Sequence, residues 1–203
     1  MIYFTSDTHF FHENILKLDN RPFKDMNDMC DKMLEKWNNK VNKNDTVYIL
    51  GDYTWKQSDE HIEYLKKLNG RKRLILGNHD FRNSSNKYKD LFESIKDYDE
   101  VKIDGKVIVM SHYPIFMYNK HYHDTIMLYG HLHNTKEYRL VNDMMTRLNN
   151  IDCPHNMFNV GCMLWNYEPI SLDEIIKSQL SLHEWKYDYE WKERWNKMIL
   201  IKD

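Results

Sequence analysis

The sequence predicts an α/β fold, a four-layer sandwich of two mixed β-sheets flanked by helices. Three observations carry this reading. Short apolar runs rich in β-branched and aromatic residues alternate with helical periodicity through the first half of the chain. An Asp-Gly pair at 104–105 joins two later apolar runs as a hairpin, and polar clusters follow five of the expected strands. Strands alternating with helices and then hairpin strands indicate mixed sheets covered by helices. The pattern alone would also allow an ordinary three-layer fold.

The elements follow in order. Ile2 to Ser6 is a buried strand by its short apolar run. Met26, Met29, Cys30, Met33, Leu34, Trp37 and Val41 fall on one helical face, a core stripe. Thr46 to Leu50 is a second strand. A helix from about Ser58 turns Ile62, Leu65 and Leu68 inward and is expected to end at Gly70, a favourable residue just past a helix. Arg73 to Leu76 is a third strand, and Tyr88 to Ile95 reads as helical. Glu100 to Ile103 and Lys106 to Met110 form a hairpin whose Asp104-Gly105 pair suits a type I′ turn. Ile126 to Tyr129 and Met157 to Val160 are further strands. Two helices are expected to finish the chain, the last with Leu182, Trp185, Tyr189 and Trp195 along one side.

A length of 203 residues favours one domain over 1–203. Four Pro and six Gly exclude a linker-rich or collagen-like chain, and a 14% aromatic content argues against disorder. No apolar run approaches the roughly 18 to 20 residues that span a bilayer, so no membrane partner is expected. The first ten residues, MIYFTSDTHF, lack a secretory pattern, and Cys30, Cys153 and Cys162 are odd in number and far apart. Both features point to a reducing cytoplasm. The formal charge of -2 carries no basic excess, so stable binding of duplex nucleic acid is not expected. The chain contains no alanine, which removes the best helix former and leaves more of the stabilisation to packing.

The chemistry gathers after the strands. The first runs into Asp7-Thr8-His9, the second into Gly51-Asp52 and the third into Gly77-Asn78-His79-Asp80. The second hairpin strand runs into Ser111-His112 and the next into Gly130-His131-Leu132-His133. Ligands of α/β sheets collect beyond the carboxyl ends of strands, so these clusters can share one rim. Asp7 and His9 are two residues apart, as are His131 and His133, and at strand spacing each pair is expected to point to one side. Asp-x-His and Gly-Asp carry little alone. Gly-Asn-His-Asp together with Gly-His-x-His arises by chance in roughly one sequence in twenty thousand of this composition, which marks a site. Carboxylate, imidazole and amide oxygen suit Mn²⁺, Fe or Zn²⁺, and no thiolate belongs to the set. A carboxylate can bridge two cations, and such a pair holds hydroxide at neutral pH and clamps phosphate.

The ordered motifs D-x-H, G-D, G-N-H-D, a lone His after a strand and G-H-x-H resemble those of the calcineurin-like metallophosphoesterases. The resemblance spans Ile2 to about His133. A likeness to small bacterial and phage-type members extends through Asp7 to Ile15 (DTHFFHENI), Arg21-Pro22-Phe23 and Asn159-Val160-Gly161 with Trp165-Asn166-Tyr167. It implies that Asp7, His9 and His133 hold one metal, that Asn78, His112 and His131 hold the other, and that Asp52 bridges them. It implies two divalent cations per chain, Mn²⁺ foremost, with Fe, Zn²⁺ or Ni²⁺ as alternatives. His79 is implied to face the phosphate and leaving group, supported by Asp80. Purple acid phosphatases of the same superfamily carry a ligating Tyr three residues after the bridging Asp. Here that position is Trp55, so no tyrosinate-to-iron centre is expected.

Around this set, His12 and Arg21 are candidate substrate contacts, Arg21 through a bidentate grip on phosphate. His121 lies in His121-Tyr122-His123-Asp124, whose spacing does not match the HxHxDH site of metallo-β-lactamases. With Lys120 and His123 it belongs to a loop between two metal motifs, where it is a third candidate substrate contact. Cys153-Pro154-His155 reads as a turn, and the Trp-rich final helix as packing. The expected activity is hydrolysis of a phosphodiester of a small or nucleotide-like substrate, without a covalent phosphoenzyme. The alternatives are a phosphomonoesterase or nuclease on the same metals, and a non-catalytic scaffold of the same fold.

Overall fold

A computed structural model describes residues 1–80, 84–150 and 156–185. The first strand, β1 (Ile2–Thr5), lies parallel to β2 (Thr46–Ile49), which lies parallel to β3 (Arg71–Ile75) and that to β4 (Phe92–Lys96). A two-residue strand, Ile170–Ser171, pairs antiparallel with the other edge of β1 and completes a five-stranded mixed sheet. In the second sheet β5 (Tyr98–Ile103) is antiparallel to β6 (Lys106–Ser111), followed in parallel by β7 (Ile126–Tyr129) and β8 (Asn156–Asn159). We number Ile170–Ser171 as β9. Both sheets are therefore mixed, as predicted.

Helices cover one face of each sheet. A short turn of helix, α1 (Ile15–Leu18), precedes α2 (Met26–Lys40). The predicted stripe of α2 packs with α3 (Asp59–Leu65) against Tyr3, Val47, Ile49 and Leu74 of the first sheet, with Met29, Met33 and Trp37 almost fully buried. Asp25 caps α2 by accepting from the Asp28 amide at 2.9 Å, and Ser58 caps α3. Such caps each stabilise by about 1 kcal/mol. Beyond the predicted elements, α5 (Lys136–Asn150) covers the second sheet through Val141, beside Val109, Met127, Tyr129 and Met157. The alternate strand residues Phe4, Tyr48, Leu50, Ile108, Met110, Ile126 and Leu128 are just as buried. Strand alternation puts them on the opposite faces of the two sheets, which gives the helix–sheet–sheet–helix layering expected.

Two local expectations change. The stretch Tyr88–Ile95 splits into α4 (Asn86–Lys89) and strand β4, because Leu74 and Ile75 of β3 offer an open parallel edge to Ile95 and Lys96. Leu91, Phe92 and Ile95 have helical spacing, but pairing and burial in the sheet override that local preference. Helix α3 ends at Leu65, short of Gly70. The hairpin turn agrees with the sequence, with Asp104 at φ 48° and Gly105 at φ 83°. Those are the two positive angles that a type I′ turn needs.

The chain divides into two compact units, Met1–Ser171 and Leu172–Asp203. The second contains α6 (Leu172–Trp185), whose first turn carries Asp173 and Glu174 where the helix dipole favours acids. Of the two terminal helices expected, this is the one within the described residues, preceded by a single 3-10 turn at Cys162–Leu164. Tyr189, Trp195 and the Cys153-Pro154-His155 turn lie outside the described residues. No described helix is long and apolar enough to cross a membrane.

Candidate metal centre

The two sheets are joined where the site forms. Past the end of β1, Ser6 bridges in parallel to Gly161, which follows β8; its amide donates to the Val160 carbonyl at 3.0 Å and its carbonyl accepts from Cys162 at 2.9 Å. The loops after β1, β2 and β3 of one sheet and after β6 and β7 of the other thereby meet at one seam. Asp7 and His9, Asp52, Asn78, His112, and His131 and His133 sit on those five loops.

The pairs do not project by strand alternation. Asp7, His9, Asp52, His131 and His133 have φ of 54°, 48°, 53°, 68° and 47°, so five of the seven candidate ligands sit in left-handed backbone beyond the strand ends. Such conformations cost energy for residues with a side chain and cluster where the surroundings enforce them. Tight backbone approach is part of that enforcement. Gly51 has φ 90°, and a Cβ there would fall 2.3 Å from His112 Nδ1; a Cβ on Gly77 would fall 2.3 Å from Asp52 Oδ1.

Two groups of donor atoms result, Asp7 with His9 and His133, and Asp52 with His112 and His131. Within each group the atoms lie within 4.8 Å of one another. Asp52 Oδ2 joins the groups. It is 3.6 Å from His9 Nε2 and 3.6 Å from His112 Nε2, while Oδ1 accepts the His79 amide at 2.9 Å. Asn78 Oδ1 is 2.9 Å from His112 Nε2, so both atoms face one point.

The imidazoles are oriented from behind. His112 Nδ1 lies 2.8 Å from the Leu50 carbonyl. That contact places the ring proton on Nδ1 and turns the Nε2 lone pair inward. His133 Nδ1 lies 3.3 Å from Asp19 Oδ1, and its Nε2 is 3.6 Å from Asp7 Oδ1. Burial by itself would lower the His133 pKa, but the Asp19 and Asp7 carboxylates outweigh it and raise it. His9 and His131 are instead held neutral, chiefly by burial. His9 Nε2 is buried with no hydrogen-bond partner among the described residues. A buried lone pair aimed at carboxylates, within a set of oxygen and imidazole donors, fits a divalent cation in each group.

The other predicted residues divide. The His79 ring is exposed, 5.6 Å from the His9 ring and 5.1 Å from that of Trp55. His12 lies against the same rim, its ring stacked on Trp55 at 4.0 Å and its Nδ1 buried without a partner among the described residues. Asp80 is engaged by backbone amides. Its Oδ2 accepts from the Asp52 and Gly77 amides at 2.8 and 2.9 Å, and its Oδ1 from Tyr53 at 3.1 Å, so it braces the Asp52 loop.

Arg21 has a different task from the phosphate grip expected of it. Its side chain is fully buried, paired through Nε to Asp19 at 2.9 Å, and donates to the Thr8 and Asp7 carbonyls at 2.8 and 2.7 Å. The guanidinium therefore holds the first motif in its left-handed path. Arg21 and Phe23 both touch Tyr167, at 5.6 and 4.8 Å, which brings the two flanking motifs together as a brace. His121 is placed on the loop after β6, its ring against Tyr118 and Tyr122 at 5.9 and 5.1 Å, and belongs to neither ligand group. Asp19 is the residue that motif reading missed, since no spacing in the sequence links it to His133, 114 positions on.

A family model for calcineurin-like phosphoesterases matches residues 1–195. The chain belongs to the calcineurin-like phosphoesterase family. It is similar to an uncharacterized protein of Methanocaldococcus jannaschii, 33% identical over 87% of this chain and 89% of that protein. It is also similar to the Gene 66 protein of Mycobacterium phage D29, 27% identical over 86% of this chain and 93% of that one. Among solved structures, a protein of unknown function from Aquifex aeolicus is 32% identical with a TM-score of 0.67, covering 87% of this chain and 98% of its own. As a member of the family, this phosphoesterase is a metal-dependent hydrolase of phosphate esters.

Proposed function

We propose that this phosphoesterase hydrolyses phosphodiesters of small or nucleotide-like alcohols at a dinuclear centre. Asp7, His9 and His133 would hold one cation, Asn78, His112 and His131 the other, and Asp52 Oδ2 would bridge them. The single observation that carries this reading is the position of Asp52 Oδ2, 3.6 Å from an imidazole nitrogen of each group. Mn²⁺ suits the mixed oxygen and imidazole donors, as Fe and Zn²⁺ do. When bound, two such ions supply Lewis acidity and a water-derived nucleophile at neutral pH.

The chain's own residues supply the rest. His79 projects from the loop whose amide holds Asp52, so its ring faces the rim while its backbone stays anchored. That placement suits hydrogen bonding to a phosphoryl oxygen and protonation of the departing alkoxide. His12, kept neutral chiefly by burial, stacks on Trp55, which also lies against His79, and is a candidate contact for the ester substituent. Asp80, Arg21 and Asp19 act one step back by fixing the ligand loops. The family match runs across both compact units, which supports reading 1–203 as one domain. Among the described residues Cys30 and Cys162 are buried and form no disulfide, in keeping with a reducing cytoplasm.

The test is hydrolysis of bis-p-nitrophenyl phosphate and of p-nitrophenyl phosphate, with Mn²⁺ and with a chelator. Turnover of the diester that needs Mn²⁺ and exceeds that of the monoester is expected. A faster monoester reaction would reassign the substrate, and no turnover of either would favour a scaffold.

A further inference from the structure

Beside the centre lies a cavity of about 400 Å³ whose walls include Leu76, Asn78, Asp97, Ser111 and Tyr113. That volume falls within the range of small-ligand sites. Asn78 belongs both to this cavity and to the candidate ligand set, through its 2.9 Å contact with His112. Tyr113 follows His112 directly. Its ring packs edge-on at 4.6 Å from the His131 ring and 5.0 Å from the His112 ring, yet the residue is 46% exposed. An exposed aromatic ring held in place by two imidazoles at a cavity wall is a stacking platform.

A phosphodiester carries two organic substituents. One departs, and in the proposed reaction it leaves beside His79, which stands next to His9 and Trp55. The other stays on phosphorus and needs room on another side of the centre. The cavity adjoins the other ligand group, that of Asn78, His112 and His131. We propose that the cavity is the subsite for the retained substituent, and that this substituent is a nucleoside whose base stacks on Tyr113.

The wall chemistry narrows the class. Leu76 and the Tyr113 ring offer apolar surface to a flat heterocycle, and the Asp97 carboxylate and Ser111 hydroxyl suit its ring N–H and amino donors. The Asp97 carboxylate on the same wall repels a further phosphate. A single nucleoside therefore fits better than a chain that continues as a polynucleotide. The inference rests on the phosphodiesterase reading above.

Two p-nitrophenyl diesters test it, the thymidine 5′-phosphate ester and the methyl phosphate ester. In both, a new bond from water oxygen to phosphorus forms, the bond to p-nitrophenolate breaks, and thymidine 5′-phosphate or methyl phosphate remains. The leaving group is shared, so the ratio of their kcat/KM values reports the retained substituent alone. Stacking of one base is lost to alanine at about 1–3 kcal/mol, or about 5- to 150-fold. The wild-type Mn²⁺ enzyme is expected to prefer the thymidine ester by at least about fivefold. Tyr113→Ala should bring the ratio near one, and Tyr113→Phe should keep it. Equal kcat/KM values in the wild type, or an unchanged ratio in Tyr113→Ala with metal content intact, would overturn the subsite. Calorimetric titration of the wild type with thymidine 5′-phosphate and with methyl phosphate covers the remaining cases, including a Tyr113→Ala that does not fold. Tighter binding of the nucleotide supports the subsite and equal binding refutes it. Hydrolysis of neither ester would instead refute the phosphodiesterase reading, while the titration still decides the subsite.

Discussion

The Asp19 carboxylate stands behind His133, with Oδ1 3.3 Å from Nδ1 while the opposite ring nitrogen lies 3.6 Å from Asp7 Oδ1. A carboxylate in this position fixes the ring tautomer and raises the basicity of the ligating nitrogen, and its loss typically costs about 10- to 100-fold in metal affinity. Asp19→Asn keeps the shape but removes the charge. Calorimetric titration with Mn²⁺ should show one of two binding events weakened by about tenfold or more. Unchanged affinity at both would reduce Asp19 to a partner of Arg21 alone.

Arg21 is the other side of the same arrangement. Its replacement by Met leaves the buried Asp19 carboxylate with His133 alone and strands the carbonyls of Asp7 and Thr8. Removing one partner of a buried ion pair destabilises by about 3–5 kcal/mol. Urea unfolding of the metal-free protein should lose stability on that scale, with Arg21→Lys falling in between because a single ammonium cannot reach all three acceptors. If Arg21 served substrate instead, Arg21→Met would leave the unfolding midpoint near wild type and raise KM.

Asp52 Oδ2 faces both donor groups, so Asp52→Asn places a neutral amide where two cations would share a charge. Metal analysis after reloading should find two equivalents in the wild-type chain and fewer than two in the variant, with turnover largely lost. Two tightly held equivalents in Asp52→Asn would remove Asp52 from the bridge.

His79→Ala separates binding from chemistry. The His79 amide that holds Asp52 Oδ1 survives this substitution, so both metals should be retained. A general acid contributes about 10²- to 10⁴-fold, and kcat should fall by that factor. The fall should be smaller for p-nitrophenyl esters than for alkyl esters, because a good leaving group needs little protonation. Equal losses on the two esters would leave His79 an electrostatic role only, and lost metal would make it a ligand.

Much of the site was legible because its chemistry is concentrated in short motifs. Gly-Asn-His-Asp and Gly-His-x-His name residues directly, and apolar runs before them place them at strand ends. The strands β1, β2, β6 and β7 were visible for a related reason, since each is a short run buried on both faces. The local signal failed at β4, where the spacing of Leu91, Phe92 and Ile95 is helical and only the open edge of β3 makes it a strand. Helix α5 differs: Val141, Met144, Met145 and Leu148 do have helical spacing, so its local signal is present although it was not among the expected elements.

By itself, then, the order of residues determined the mixed α/β architecture, the seven candidate ligands and the hydrolytic family, because residue type and local periodicity express these directly. Tertiary structure decided how they are used. Arg21 and the Ser6–Gly161 bridge hold the left-handed loop after β1, and the Asp7 carboxylate accepts the His131 amide of the loop after β7, so strand alternation could not foretell where Asp7, His9, His131 and His133 point. Asp80 became a backbone brace and Arg21 a buried clamp, since in each case the nearest unsatisfied partners were amides or carbonyls on the ligand loops. Asp19 and Tyr113 gained their places through contacts across the fold with His133 and His131. Such roles depend on distances between segments far apart in the chain, and those distances exist only once the two sheets have met.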